Sequence, residues 1–303
     1  MPIRSDSDCE TSFVKTTGIA YSVGGSDSRV CETLDAGDQT FEELNYIPSS
    51  DRLTYSNGFY VDCAALFIDI RGSSKLPETH NRQVLAKIYR AYLSECVAVL
   101  NQDQNCREVF INGDCVSGIF ATLTKNDIDS TFFRAAQLNT LLNLLNWRFE
   151  QKGYTKIECG IGLDYGRALM LKAGYKGASI NEIIWMGDVV NNASNLCHQG
   201  NKNGRKPIQI STVIQQNITR DDYKVLLEPI YNPALLSTEI IGYECNAVGT
   251  EMDDWIEQQK RNGEAMKLGF AAILQNHFAP PPQNKNNKLA NLLSQTPTKN
   301  WWE

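Results

Sequence analysis

Residues 63–70, Cys-Ala-Ala-Leu-Phe-Ile-Asp-Ile, form an almost unbroken apolar run of β-prone residues. A strand that alternates apolar and polar residues can leave one face in water. A continuous apolar run cannot, so Cys63 to Ile70 is expected to be a central strand covered on both faces. Such a strand needs helices, and the next segments supply them. From His80 to Asn101, Val84, Leu85, Ile88, Tyr89, Tyr92, Leu93 and Val97 recur at helical spacing. Glu108–Ile111 and Cys115–Ala121 then flank Asn112-Gly113, a strong hairpin signal. Asp129–Gln151 reads as a second amphipathic helix and Lys156–Leu163 as a strand. The order β-α-β-β-α-β is that of a ferredoxin-like α+β core, its sheet flanked by helices.

Extra αβ elements follow: a strand at Ala168–Lys172, a helix at Asp188–Cys197, and strands at Pro207–Ser211 and Glu239–Val248. The expected organisation is an irregular arm at 1–50, a folded domain at 51–250, a C-terminal helix at 251–278 and a disordered tail at 279–303. The tail contains Pro280-Pro281-Pro282 and ends near Trp301-Trp302.

The bulk properties mainly exclude. A net charge of −6 argues against a nucleic-acid-binding face. No run of about 18 apolar residues and no apolar leader is present, so neither a membrane span nor a signal peptide is expected. The nine cysteines are scattered, and none forms a C-x-x-C pair. They read as free thiols in a reducing cytoplasm rather than a zinc site or disulfide framework. The three histidines, His80, His198 and His277, read as surface residues rather than nucleophilic machinery.

Two aspartates carry the chemistry. Asp69 ends the first strand, and Asp114 sits in the Asn-Gly-Asp turn. In a split βαβ fold the strand end and the hairpin turn meet at one end of the sheet. Asp69, Asp114 and the backbone carbonyl of Ile70 are then hard oxygen donors suited to two Mn²⁺ or Mg²⁺ ions. The loop Arg71-Gly72-Ser73-Ser74 follows directly, and its N–H groups could cradle phosphates. Taken singly, Asp69 reads equally as a cap and Asp114 as a turn residue; together, on this topology, they read as a metal site. A third segment, Gly187-Asp188-Val189-Val190-Asn191-Asn192-Ala193-Ser194-Asn195, opens a helix with Asn191 and Asn195 on one face. Capping by Asp188 and ordinary solvation would explain it as well.

Together these three segments resemble the class III nucleotide cyclases, the adenylate and guanylate cyclase catalytic domain, from about Leu53 to Val248. The departures from that family concern the base. Its purine-reading lysine falls at Phe110, and its second purine reader at Ile184. Its transition-state arginine aligns with Asn195, while Asn191 is retained. No counterpart of its triphosphate lysine is evident near Ile241-Gly242-Tyr243. With these changes the chain resembles most the pyrimidine cyclases of bacterial Pycsar antiphage systems.

That resemblance implies a cyclase making cUMP from UTP, with CTP as the alternative, as a messenger for a separate effector. It also implies a head-to-tail homodimer in which metals and asparagine come from opposite subunits. For the base, Tyr60 and Arg107 are the candidate readers, with Phe110 and Ile184 as pocket walls. An interface tyrosine and a solvated arginine explain those two residues equally well. A catalytically inactive nucleotide-binding module, favoured by the loss of arginine at Asn195, is the competing reading from another class. A purine cyclase with an unusual pocket is a third. A palm-type polymerase shares the aspartate hairpin but would not need the Gly187–Asn195 segment.

Overall fold

The computed structural model describes residues 21–35, 37, 41–174, 181–234 and 238–278. The chain divides into two compact units, Met1–Asp253 and Asp254–Glu303. The first unit holds helices α1 (Val23–Leu34), α2 (Leu76–Thr79), α3 (Arg82–Asn101), α4 (Lys125–Gln151), α5 (Asp188–Gln199), α6 (Thr212–Asn217) and α7 (Asp221–Lys224). Helix α8 (Thr250–Phe278) accounts for the described part of the second unit.

The strands are β1 (Phe41–Leu44), β2 (Gly58–Ile70), β3 (Cys106–Asn112), β4 (Cys115–Ala121) and β5 (Cys159–Gly174), followed by β6 (Asn181–Met186), β7 (Ile208–Ile210), β8 (Glu228–Tyr231) and β9 (Ile240–Cys245). They form one sheet in the order β3-β4-β2-β5-β7-β9-β8, with β1 on β2 and β6 on β5. Its first four strands have ferredoxin-like connectivity.

The apolar run is central, as expected. β2 lies between β4 and β5, antiparallel to both, and Cys63, Ala64, Ala65 and Leu66 are fully buried. Even-numbered residues such as Leu66 and Ile68 join the core under α3 and α4 with Tyr92, Phe120 and Phe132. Odd-numbered residues such as Phe59, Val61 and Ala65 join a second core under α5 with Trp185, Val189 and Ala193.

Several boundaries differ from expectation. β2 begins at Gly58 because β5 pairs with its entire length, from Gly58 opposite Leu171 to Ile70 opposite Cys159. For the same reason Ala168–Lys172 is the second half of β5 and not a separate strand. Strand β6, absent from the expected elements, is the antiparallel partner of that second half. Within the stretch read as an irregular arm, α1 forms with a Ser22 cap, and β1 pairs in parallel with β2. The tail at 279–303 lies outside the described residues.

A buried carboxylate locks the α3–β3 turn onto α4. Asp103 accepts from Ser130 Oγ (2.7 Å), Arg134 Nε (3.0 Å) and the Asn105 N–H (2.9 Å). Burial pushes its carboxyl up, but those bonds outweigh burial and hold it below the ordinary 3.8. A depressed folded pKa stabilises above the unfolded value and is lost as pH falls through the folded one. Asp103→Asn is therefore expected to cost about 2–3 kcal/mol at pH 7 in urea unfolding. The gap to the unsubstituted protein should close below the ordinary 3.8; an equal gap at every pH would contradict the charged network.

Candidate active site

The hairpin register brings the two aspartates together. Asp69 lies opposite Gly160 on β5, and Ile68 lies opposite Val116 on β4. Carrying that register on sets Asp114 beside Ile70 at the end of the sheet. The Asp114 Oδ2 atom is buried without a hydrogen-bond partner. Leaving a carboxylate oxygen in that state is costly unless a cation completes it. The Asp69 carboxyl is pushed up by burial and by the charge of Asp114, against the pull of Arg71, Lys202 and His198. Two carboxylates in this relation are relieved by a divalent ion. Among the described residues no cluster of three or more His, Cys, Asp or Glu side chains could hold a metal. An ion held by Asp69 and Asp114 would therefore take its other ligands from carbonyls, water or phosphate, as Mg²⁺ commonly does. The residues fit the group.

Arg71 behaves differently from the phosphate ligand expected of it. Its side chain is only 9% exposed, and Nη1 donates to Asp69 Oδ2 at 3.3 Å. Nη2 donates to the Cys197 carbonyl of α5, and the backbone N–H is taken by the Glu158 carbonyl at 2.7 Å. A Cβ at residue 160 would stand 2.0 Å from Nη2, so the arrangement needs Gly160. Arg71 thus ties Asp69 to α5, and its charge is spent there. The Gly72, Ser73 and Ser74 N–H groups precede the first bond of the next turn, Lys75 N–H to the Gly72 carbonyl. Donors at that position have no acceptor within the turn. Gly72 itself has φ +64°, a left-handed conformation that suits glycine.

Helix α5 crosses β5 at contact distance. A Cβ on Gly162 would meet the Ala193 carbonyl and the Cys197 nitrogen at 2.1 Å, and one on Gly166 would meet Val189 Cβ at 3.5 Å. The C-terminal end of α5 therefore lies by Asp69. Its first turns, with exposed Asn191, point toward Gly166, which pairs with Cys63 far back along β2. Asn195 lines a cleft of about 580 Å³ on that side with Asp188, Asn192, Arg167 and Asp164. Burial raises the Asp164 carboxyl against hydrogen bonds from Ser211, the Tyr165 N–H and Asn192. Asn191 and Asp69 of one chain thus lie toward opposite ends of α5.

The base-pocket candidates are only partly brought together. Phe110 packs against the second core, whose members include Trp185. The Trp185 indole N–H donates to Glu108 Oε2 at 2.7 Å. Strand alternation turns the adjacent Ile184 to the other face, 38% exposed, so Trp185 and not Ile184 stands with Phe110. Arg107 is exposed and sits at the register shift between Cys106 and Glu108, a bulge that re-aims a side chain. Tyr60 lies inside β2, not before it, on the face opposite Asp69 and about 30 Å along the strand. Sequence reasoning passed over Trp185 and Glu108 because a tryptophan in an apolar strand reads as core.

This geometry coincides with likeness to known proteins. The chain is 34% identical over 223 residues to a uridylate cyclase of Treponema porcinum, covering 74% of this chain and 77% of that one. The chain belongs to the uridylate cyclase family. A second member, from Gulbenkiania mobilis, is 42% identical over 165 residues, 52% of this chain and 64% of that one. No protein-family model matches the chain. Among solved structures, the adenylyl cyclase CyaB of P. aeruginosa superposes with a TM-score of 0.52 at 20% identity, covering 62% of this chain and 95% of that one. The guanylyl cyclase Cya2 superposes with a TM-score of 0.51 at 17% identity, covering 63% of this chain and 95% of that one. The chain is thus a nucleotide cyclase on the class III fold. Among the described residues no helix is long and apolar enough to cross a membrane.

Proposed function

We propose that the chain converts UTP to 3′,5′-cyclic UMP and pyrophosphate. The observation that carries this reading is the buried, unpartnered Oδ2 of Asp114 beside Asp69. Family membership supplies the substrate class. Asp69, Asp114 and the Ile70 carbonyl would hold two Mn²⁺ or Mg²⁺ ions. When bound, such ions acidify the ribose 3′-OH and neutralise the leaving pyrophosphate. The 3′-oxygen bonds to the α-phosphorus, the bond to pyrophosphate breaks, and the hydroxyl proton leaves to water. Gly72, Ser73 and Ser74 would offer N–H donors to the phosphates. Arg71 would hold Asp69 in place.

The separation of Asn191 from Asp69 within one chain supports a head-to-tail homodimer. Asn191 of the partner subunit would then align the α-phosphate or ribose. Phe110, backed by Trp185, would wall a pocket too apolar for a purine's polar edge. Arg107, and Tyr60 in the site completed across the dimer, would read the pyrimidine. A guanidinium donates better to O4 of uracil than to N4–H₂ of cytosine, hence UTP over CTP. Resemblance to Pycsar enzymes extends the reading to a cytoplasmic antiphage messenger acting on a separate effector, with no nucleic-acid or membrane partner. The catalytic domain would span 51–250.

Incubation with Mn²⁺ and each of ATP, GTP, CTP and UTP, with products identified by mass spectrometry, tests the proposal. Cyclic UMP as the main product is expected. A cyclic purine product would overturn the pyrimidine reading. No product from any nucleotide would favour the binding module, which the asparagine at 195 supports.

A further inference from the structure

The turn after α5 is seated against the metal end of β2. A Cβ on Gly200 would stand 2.8 Å from the Gly160 Cα, and Asn201 Nδ2 donates to the Cys159 carbonyl at 2.7 Å. Cys159 and Gly160 are the residues paired with Ile70 and Asp69. This seating brings Lys202 and His198, one helical turn before it, near enough for their charge to pull on the Asp69 carboxyl. The Lys202 Nζ lies 2.9 Å from His198 Nε2 and 3.0 Å from Nδ1. Among the described residues it has no carboxylate within ion-pair distance.

An ammonium whose nearest partner is an imidazole rather than a carboxylate is poorly compensated. It becomes well compensated when a polyanion arrives. The charge balance of the site points the same way. Two divalent ions and the Arg71 guanidinium, set against the two carboxylates, still fall about one charge short of neutralising a triphosphate. We propose that Lys202, steadied by His198, binds the pyrophosphate end of the nucleoside triphosphate in the site of its own chain. It would supply the charge for which the β8–β9 region has no evident lysine. This inference rests on the cyclase reading above.

The test measures binding without turnover. Calorimetry with Mn²⁺ would compare 3′-deoxy-UTP, which cannot cyclise, with 3′-deoxy-UMP, which lacks the pyrophosphate. Lys202→Met keeps the aliphatic stem and is expected to weaken triphosphate binding by about 10–100-fold, the usual worth of a charge-assisted contact. Monophosphate binding should stay within about threefold, and Lys202→Arg should recover most of the loss. Equal affinity of Lys202→Met and the unsubstituted protein for 3′-deoxy-UTP would overturn the inference. So would equal loss for both nucleotides, or failure of the arginine to rescue a folded protein. If the unsubstituted protein binds neither nucleotide, the UTP reading itself falls, and this inference with it.

Discussion

Replacing Asp114 by asparagine is expected to lower cyclic-nucleotide formation by about 10³-fold, the scale of several kcal/mol that a metal ligand controls. The fold should survive, because Oδ2 makes no internal bond that the substitution breaks. A melting temperature within a few degrees of the unsubstituted protein would separate lost chemistry from lost structure. Under the proposed head-to-tail arrangement Asn191→Ala should also be inactive, for a different reason: it would empty the half-site offered to the partner subunit. Co-expressing the two variants then tests the dimer. Random pairing makes about half of the dimers mixed, and each mixed dimer keeps one intact site of two, so about a quarter of full activity should return. If the mixture stays as inactive as either variant alone, both groups act within one chain and the head-to-tail arrangement is wrong.

Gly162→Ala is expected to be the most damaging change away from Asp69 and Asp114. The added Cβ would lie 2.1 Å from the Ala193 carbonyl and from the Cys197 nitrogen, both backbone atoms of α5. No rotamer change can relieve that contact, so the helix must lift from β5. Overpacking of this kind costs about 3 kcal/mol. For a domain of this size that is a melting-temperature drop of about 6–12 °C. Activity should fall further than stability, since lifting α5 displaces Asn191 and pulls the Cys197 carbonyl away from Arg71. Retained activity in a folded Gly162→Ala protein would mean that α5 need not lie this close.

Much of the architecture was legible in the chain itself. The apolar run at 63–70, the Asn112-Gly113 turn and the spacing of Val84 to Val97 determine a central strand, a hairpin and a covering helix. Each does so through a local rule: the period of burial, the turn's need for left-handed backbone, and the width of an apolar stripe. Those rules also put Asp69 and Asp114 at one end of the sheet, because connectivity alone brings the strand end to the hairpin turn. Strand β6 escaped because Ile183, Ile184 and Trp185 lead straight into a helix start, where local periodicity is ambiguous.

Which way individual side chains turn was decided only in three dimensions. Arg71 reads as a loop cation available to phosphate. It is drawn inward because Gly160 leaves room for its guanidinium and the Cys197 carbonyl waits beyond. Ile184 occupies the aligned position for reading a base, yet Trp185 reaches the Phe110 side, because the pairing of β6 with β5 sets which residue faces the core. Lys202 gives no signal in sequence, and it arrives beside Asp69 only because glycines let α5 lie flat on β5. Composition and periodicity act over one or two turns of chain and so determine elements and their order. The environment of a charged group is made by segments distant in sequence, and packing alone determines that.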